Sequence, residues 1–189
     1  MQKLATIFAL IMLGAFSLSA QTEIKINPLG MLFASPDVAL EFAANESIGI
    51  EPTIGVSFPS VTIDGTKLKS TGFQAGVLGK YYFGPEKGID KFYAGLYTRM
   101  GTSKFSSEDD NGTEEGFNRF RLAIGITTGY KWVSKKNVVF ELGLGTGRNL
   151  TNKFTDNTGS FDTSGIPFLN FDLFLRLVVG YRFGGGSNM

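Results

Sequence analysis

The stretch "FDLFLRLVVGYRF", residues 171–183, is the segment that decides the fold of this chain. Every odd-numbered position from Phe171 to Phe183 is apolar, whereas Asp172, Arg176 and Arg182 occupy even-numbered positions. Such alternation indicates a β-strand with an apolar and a polar face. A one-residue slip would turn the charges toward the apolar side, which costs roughly 2–4 kcal/mol for each arginine at a membrane midplane. The segment therefore predicts a long strand with an apolar environment on one side and a polar environment on the other.

The same alternation recurs along the chain and predicts eight strands. In the sixth, apolar even-numbered positions run from Phe120 to Trp132, with Arg119 and Arg121 on the opposite face. In the third, Pro52 has no amide donor, so we expect a bulge or local defect there. The predicted strands cover about residues 22–33, 36–44, 48–58, 71–83, 91–101, 119–132, 137–147 and 169–183.

Short and long connections alternate from the second strand onward. The short ones are residues 45–47, 84–90 and 133–136, and the long polar ones are residues 59–70, 102–118 and 148–168. This order is typical of an up-and-down membrane barrel with short periplasmic turns and longer outside loops. The first outside connection, residues 34–36, is too short to fit that pattern.

The polar face of the predicted strands is rich in glycine, including Gly125, Gly129 and Gly143. Glycines weaken strands that face water, but inside a narrow eight-stranded barrel small residues leave room for long charged ones. The glycines therefore favour a membrane barrel, with the apolar face in lipid, over a soluble barrel such as a lipocalin. We expect an all-β fold, an eight-stranded antiparallel up-and-down transmembrane β-barrel.

Charged residues of both signs are expected in the lumen, where buried charges have to pair and form hydrogen bonds. We predict an ion-pair network that fills the barrel and blocks large solutes. Glu23 and Lys25 also fall on the lumen face. The predicted network comprises Glu41, Glu51, Lys80, Arg99, Arg119, Arg121, Glu141, Asp172 and Arg176.

Aromatic residues gather at the strand ends that this topology places on the periplasmic side. Amphipathic rings favour the membrane interface, so the pattern predicts an aromatic girdle. Its members are Tyr81, Phe83, Phe92, Tyr130, Trp132, Tyr181 and Phe183.

The first twenty residues have the layout of a cleaved secretory signal peptide. Lys3 precedes an uncharged apolar run from Leu4 to Phe16, and small residues lead to Ala20, where we expect cleavage. The predicted organisation is therefore a signal peptide at 1–20, a barrel at 21–183 and a short tail at 184–189.

Composition argues against several functions. Without Lys3 the chain has 17 basic and 17 acidic residues, so no nucleic-acid partner is expected. No histidine or cysteine is present, which removes the usual general base for a serine or cysteine nucleophile. Paired carboxylates or a Ser–Lys arrangement remain open, but no spacing points to either, so we expect no enzyme and no cofactor.

A metal site is not expected either. The acidic stretch "SSEDDNGTEE", residues 106–115, contains a glycine like that of a calcium loop. Aligning Gly112 with that glycine places Asn118 where a bidentate glutamate is required. The interpretation we favour is a solvated acidic loop.

The "LSAQ" region, the "INPLG" start of the first strand and the "GYRF" ending give the chain a family resemblance. It resembles the small eight-stranded outer-membrane barrels of Gram-negative bacteria, which include the OmpA transmembrane domain and OmpX. It is also similar to a widespread outer-membrane β-barrel domain family. The resemblance implies that Tyr181 and Phe183 serve as the signal for the barrel-assembly machinery. The chain departs from the pattern by adding "GGGSNM" after Phe183.

Lipid A acyltransferases and deacylases resemble the chain in size and strand number, but their catalytic histidine has no counterpart here. The expected function is a non-enzymatic, monomeric outer-membrane barrel that serves membrane integrity, adhesion or partner binding through its loops. Its expected partners are outer-membrane lipid, the assembly machinery and an extracellular partner. The expected contacts with that partner are the apolar residues of the long loops, Val61, Ile63, Phe105, Phe154, Phe161 and Ile166. Two alternatives stay open, a soluble exported lipocalin-like barrel and passage of small hydrophobic molecules through the barrel.

Overall fold

A computed structural model of the chain describes residues 21–63, 66–108, 114–156, 159–163, 166 and 170–184. The predicted signal peptide at 1–20 lies outside the described residues, as does most of the predicted tail. Among the described residues, no helix is long and apolar enough to cross a bilayer.

Eight antiparallel strands close into a ring, which confirms the predicted fold class. Each strand pairs with its neighbours in sequence order, and the last strand returns to pair with the first. The ring strands are β1 (Thr22–Ile26), β2 (Asp37–Ala43), β3 (Ile48–Ser57), β5 (Thr66–Phe83), β6 (Lys91–Glu108), β7 (Glu114–Val133), β8 (Val138–Thr155) and β10 (Phe171–Phe183). Outside the ring, β4 (Ser60–Ile63) pairs with β5 and β9 (Ser160–Asp162) pairs with β8, and α1 (Pro28–Leu32) follows β1.

The register of the strands sets the width of the barrel. Following cross-strand partners from Phe183 through each successive strand returns to Leu173, ten residues away on β10. For eight strands, this stagger corresponds to a tilt of roughly 40° and a radius of about 8 Å. The interior of such a barrel has room for side chains and at most one small ligand.

The two faces of the wall have the polarity that the alternation predicts. On β10, Leu173 is 74% exposed, and the odd-numbered positions from 171 to 183 point outward. Asp172, Arg176 and Arg182 are buried inside the ring. The apolar side chains of this strand therefore form part of the outer surface.

The first strand is shorter than predicted, because it ends at Ile26 instead of residue 33. The Asn27 side chain accepts a hydrogen bond from the Gly30 amide, and Pro28 begins α1. An N-cap asparagine followed by proline favours a helix start over a continued strand. The first outside connection is consequently residues 27–36, which removes the exception in the pattern of loop lengths.

The long outside connections are mostly strand, which corrects the prediction of polar loops. β5 starts at Thr66, β6 continues to Glu108, β7 starts at Glu114 and β8 continues to Thr155. Both faces of a ladder that projects into water can be polar, so the apolar alternation ends before the hydrogen-bonded pairing does.

Two irregularities interrupt the ladders. Between β2 and β3, Ala39 pairs with Thr53 and Phe42 with Ile50, but the two positions between them are not paired. Pro52 occupies one of these positions, so the local defect expected there is confirmed. In β8, a bulge near Leu150 shifts the register opposite Leu122 and Ala123.

The extended β6–β7 hairpin can be shortened without loss of the barrel, since the ring pairs continue below it. We expect a variant in which a short turn replaces residues 105–117 to resist SDS until heated, because every remaining ring strand keeps both neighbours. The measurement is the mobility of unboiled and boiled protein on a gel. A single mobility for this variant, beside two for the parent chain, would show that the hairpin is needed for closure.

Candidate functional site: the charged lumen

Nine charged side chains meet in the half of the lumen nearest the short turns. All are buried, and they come from seven of the eight ring strands. We name this set the lower cluster. Its members are Glu23, Lys25, Glu41, Glu51, Lys80, Lys131, Glu141, Arg176 and Arg182.

Lys25 occupies the centre of the lower cluster. Its Nζ lies 2.8 Å from Glu51, 2.9 Å from Glu141 and 3.1 Å from Glu23, and it also donates to Glu41. The alternation of β1 points this lysine inward together with Glu23. One ammonium group therefore links carboxylates from four strands.

Two further lysines connect the same carboxylates from other sides. Lys80 lies 2.7 Å from both Glu51 and Glu141. Lys131 lies 2.9 Å from Glu23 and 2.6 Å from Glu41. Because a lysine ammonium has three donors, each lysine bridges at least two carboxylates, and the cluster forms one continuous network.

The two arginines of β10 lie on either side of the lysines. Arg176 donates to Glu51 and lies 3.5 Å from Glu141. Arg182 donates to Glu23 at 2.6 and 2.9 Å and to the Ile89 carbonyl at 3.0 Å. Ile89 belongs to the 84–90 turn and is fully buried, so Arg182 joins the cluster to that turn.

Tyrosines complete the packing of the lower lumen. The Tyr82 hydroxyl donates to Glu41 at 2.6 Å, and the Tyr93 hydroxyl donates to Glu141 at 2.9 Å. Lys131 lies 4.4 Å from the Tyr82 ring centroid, in a cation–π contact. A Cβ at Gly129 would lie 2.6 Å from the Tyr93 hydroxyl, so a glycine there makes room for the ring.

The lower cluster contains four carboxylates and five cations, and every one of these groups contacts the opposite sign. Isolated charges at this depth would be very costly, but pairing with further hydrogen bonds offsets much of that cost. The cluster therefore acts as a charged plug that leaves little space for solutes.

Three of the carboxylates have the spacing of a metal site. Oxygens of Glu41, Glu51 and Glu141 all lie within 4.8 Å of one another. However, Lys25 Nζ contacts each of the three. The lysine ammonium thus takes the position in which a cation would be held.

A second group lies nearer the long hairpins and centres on Asp172. Arg99 donates to Asp172, Arg121 lies 3.5 Å from it, and the Tyr97 hydroxyl donates to it at 2.8 Å. Arg119 instead donates to Asn152 at 2.7 Å. Asp172 is therefore the carboxylate that Arg99 and Arg121 share.

The structure therefore divides the predicted network into two parts. Glu41, Glu51, Lys80, Glu141 and Arg176 lie in the lower cluster. The upper group contains Arg99, Arg121 and Asp172, and Arg119 makes no ion pair with any described residue.

Sequence reasoning omitted Lys131, Arg182 and the inward-facing tyrosines from the network. Lys131 lies ten residues after Arg121 and Arg182 six after Arg176, so the period of two places both on the lumen face. The same period of two places Tyr82, Tyr93 and Tyr97 on the lumen face. A single aromatic residue on a polar face is easily mistaken for a break in the alternation.

The residues of the predicted girdle all lie on the outer surface near the short turns. Their side chains are partly exposed, and several form ring pairs. Tyr81 and Phe83 have centroids 5.0 Å apart, and Tyr130 and Trp132 have centroids 4.6 Å apart. Phe92, Tyr181 and Phe183 occupy the same end of their strands.

Comparisons with known proteins agree with the barrel fold. The sequence model of a family described as "Protein of unknown function (DUF3575)" matches residues 5–163. A crystal structure of a major outer membrane protein from Thermus thermophilus is similar with a TM-score of 0.55 and 14% sequence identity. The match covers 87% of this chain and 99% of the Thermus chain. No curated protein matches the chain in sequence.

Removal of one carboxylate from the lower cluster should destabilise the barrel strongly. Glu141→Gln keeps the shape of the side chain but leaves Lys25, Lys80 and Arg176 with less negative charge. We expect a loss of about 3–5 kcal/mol in the free energy of unfolding, as for a broken buried ion pair. The measurement is urea unfolding of the vesicle-inserted protein, followed by the fluorescence of Trp132, the single tryptophan.

The matched control for this substitution is Glu86→Gln, since Glu86 lies in an exposed turn and pairs with Lys91 at 2.6 Å. The unfolding midpoint of this variant should stay close to that of the parent chain. Equal midpoints for Glu141→Gln and Glu86→Gln would contradict a stabilising role for the plug.

Proposed function

The chain belongs to the family described as "Protein of unknown function (DUF3575)", and we propose that it is an integral outer-membrane β-barrel with a closed lumen. The observation that carries this proposal is the combination of an apolar outer surface with a buried charged plug. Charges inside and apolar residues outside are the arrangement that a lipid environment requires.

The height of the apolar surface fits a bilayer. On β5 the outward-facing positions run from Phe83 in the girdle to Phe73, ten residues earlier. At about 3.4 Å per residue and a tilt of roughly 40°, these positions are about 26 Å apart along the barrel axis. Outer-membrane barrels have an apolar band of about 25 Å. Outward-facing lysines such as Lys104 and Lys153 lie beyond Phe73 and beyond this band.

The proposed relatives of the chain are the small eight-stranded barrels, including OmpA and OmpX. Eight ring strands with a filled lumen support this grouping. The proposal includes export through a signal peptide, a monomeric state, insertion by the barrel-assembly machinery and recognition of Tyr181 and Phe183 by that machinery. Both aromatic residues lie on the outer surface at the end of β10, where such recognition is sterically open.

The proposed role is non-enzymatic and needs neither cofactor nor metal. The lower-cluster carboxylates all have lysine or arginine partners, so they hold the barrel together and are poor candidates for a free general base. Membrane integrity and adhesion remain the roles that we propose, with outer-membrane lipid as the principal partner.

The extended hairpins support a contact surface for an extracellular partner. Val61, Ile63 and Ile166 are exposed there, as expected from the sequence. Phe105 instead stacks on Phe117 with centroids 4.9 Å apart, and Phe154 lies 5.7 Å from Phe117. The side chain of the remaining predicted contact residue, Phe161, lies outside the described part of the chain.

The soluble lipocalin-like alternative requires an apolar lumen and a polar exterior. In this barrel charged side chains lie in the lumen and apolar side chains cover the exterior, which favours the membrane proposal. Passage of small molecules from one side to the other would need a path through the lower cluster, where lysines, arginines and tyrosines fill the section of the barrel.

Insertion in a membrane can be tested at a lipid-facing position. Leu96 is 65% exposed and lies near the middle of the apolar band, so Leu96→Arg should destabilise the inserted protein by about 2–4 kcal/mol. Thr102→Arg, near the outer boundary of the band, should cost about 0–1 kcal/mol. Vesicle unfolding and outer-membrane fractionation provide the measurements. A soluble parent protein, or equal effects of the two arginines, would refute the membrane proposal.

Closure of the lumen predicts a lack of pore activity. Purified protein in planar bilayers should give no steady single-channel openings, because the buried side chains of the lower cluster close the half of the lumen nearest the short turns. A larger porin provides the positive control. Steady openings of uniform size would show that the plug moves and that the barrel conducts.

A further inference from the structure

A cavity of about 540 Å³ lies in the upper lumen, next to α1. Ligand pockets commonly have volumes of about 300–1,000 Å³. The residues that line it come from α1, β2, β3, β5, β6 and β10 and from the segments on either side of α1. Among them, Arg176 also belongs to the lower cluster. Its floor and walls combine apolar side chains with two arginines.

The wall beside this cavity is not a complete strand ladder. β1 pairs with β10 only from Val179 to Phe183, so the stretch from Phe171 to Val178 has a described strand partner, β8, on one side only. On the other side, residues 34–36 bond to the end of β3, where Val56 N donates to Pro36 O at 3.0 Å. α1 packs against β10 in the gap between them. The cavity therefore lies directly behind a helix that replaces part of the wall.

The lining contains donors that lack acceptors. Arg176 is 5% exposed, and among the described residues its Nη2 has no hydrogen-bond partner. The same is true of Arg99 Nε. Both arginines line the cavity, and a buried guanidinium nitrogen without a partner is costly. Both nitrogens are closed to solvent, so an acceptor group on a ligand would relieve this cost once the guanidinium turns toward it.

The charge and polarity of the lining select the ligand further. The charged groups that line the cavity are two guanidiniums and one carboxylate, Asp37, which already accepts a hydrogen bond from Asn27 at 2.8 Å. Arg99 also pairs with Asp172 and Arg176 with Glu51, but each does so through a nitrogen other than the one that lacks an acceptor. Leu29, Phe33, Leu78 and Phe174 provide an apolar surface in the same cavity. The site is therefore built for a molecule that has an anionic head and an apolar body.

We propose that this cavity binds a small amphipathic anion, a carboxylate or phosphate head on a short alkyl chain. The head contacts Arg99 and Arg176, and the alkyl chain lies against Leu29, Phe33 and Leu78. This site goes beyond the closed-barrel function, since the lower cluster still prevents passage to the other side. The test below requires a barrel that inserts into lipid. Failure to enter nanodiscs would count against the membrane proposal, whereas a barrel that enters them without binding the probe would count only against this site.

The test uses the whole barrel in nanodiscs of zwitterionic lipid, with decanoate as the probe and empty discs as the blank. Isothermal titration should show saturable binding of about one decanoate per barrel, and at least about tenfold weaker binding of decanol and decyltrimethylammonium, which lack the charge-assisted contacts. Decyl phosphate distinguishes the two head groups. Partitioning equal to that in empty discs, or equal binding of decanol, would overturn the proposal.

A pair of arginine variants separates the cavity from the upper group as a whole. Arg99 and Arg121 both contact Asp172, but only Arg99 lines the cavity. Arg99→Gln should weaken decanoate binding by about tenfold or more, whereas Arg121→Gln should leave it nearly unchanged. Unchanged binding in Arg99→Gln, or equal losses in both variants, would contradict the assigned site.

A third variant keeps the test decisive if Arg99→Gln does not fold. Leu78→Trp fills the cavity without removing a charge, since Leu78 is buried and lines it. We expect decanoate binding to disappear while the heat-shift on the gel is retained. A folded Leu78→Trp barrel that binds decanoate as the parent does would place the ligand elsewhere.

Discussion

The contact of Lys25 with four carboxylates is the interaction on which the rest of the structure depends. Its ammonium is shared by Glu23, Glu41, Glu51 and Glu141, which come from β1, β2, β3 and β8. A radius of about 8 Å brings these side chains within reach of one another, and a wider barrel would leave them solvated. The number of strands, their stagger and the charges of the lumen therefore depend on one another. In a narrow ring the buried carboxylates and cations have to pair, and the paired side chains fill the interior.

The fold was predictable where each strand separates lipid from lumen. In β10 and β7 the two environments differ so much that side-chain polarity alone sets the register. Prediction failed where that difference ends. Beyond the apolar band both faces meet water, so the strands that reach Glu108 and Thr155 show no apolar alternation. At Ile26 the error was local, because the capping signal of Asn27 and Pro28 was overlooked in favour of a continued alternation.

The alternation of side chains along each strand predicts which residues belong to the charged site, but it does not predict which of them form ion pairs with one another. Period two places Glu41, Lys80 and Arg176 in the lumen, whereas their partners depend on tilt and stagger, which bring together residues far apart in sequence. Arg119 is the clearest example, since it faces inward but bonds to Asn152 and to no acid in the described part of the chain. The upper cavity could not be predicted from the sequence either. It results from the early end of β1 and the placement of α1 beside β10.

The pairing of the first strand with the last has a consequence for biogenesis. β1 supplies Lys25 and Glu23, and β10 supplies Arg176 and Arg182, so both ends of the chain contribute to the charge balance. A nascent barrel that lacks either end would expose unmatched carboxylates or cations to hydrocarbon, where they are very costly. The charges of the lumen are therefore balanced only when the first and the last strand have both joined the ring.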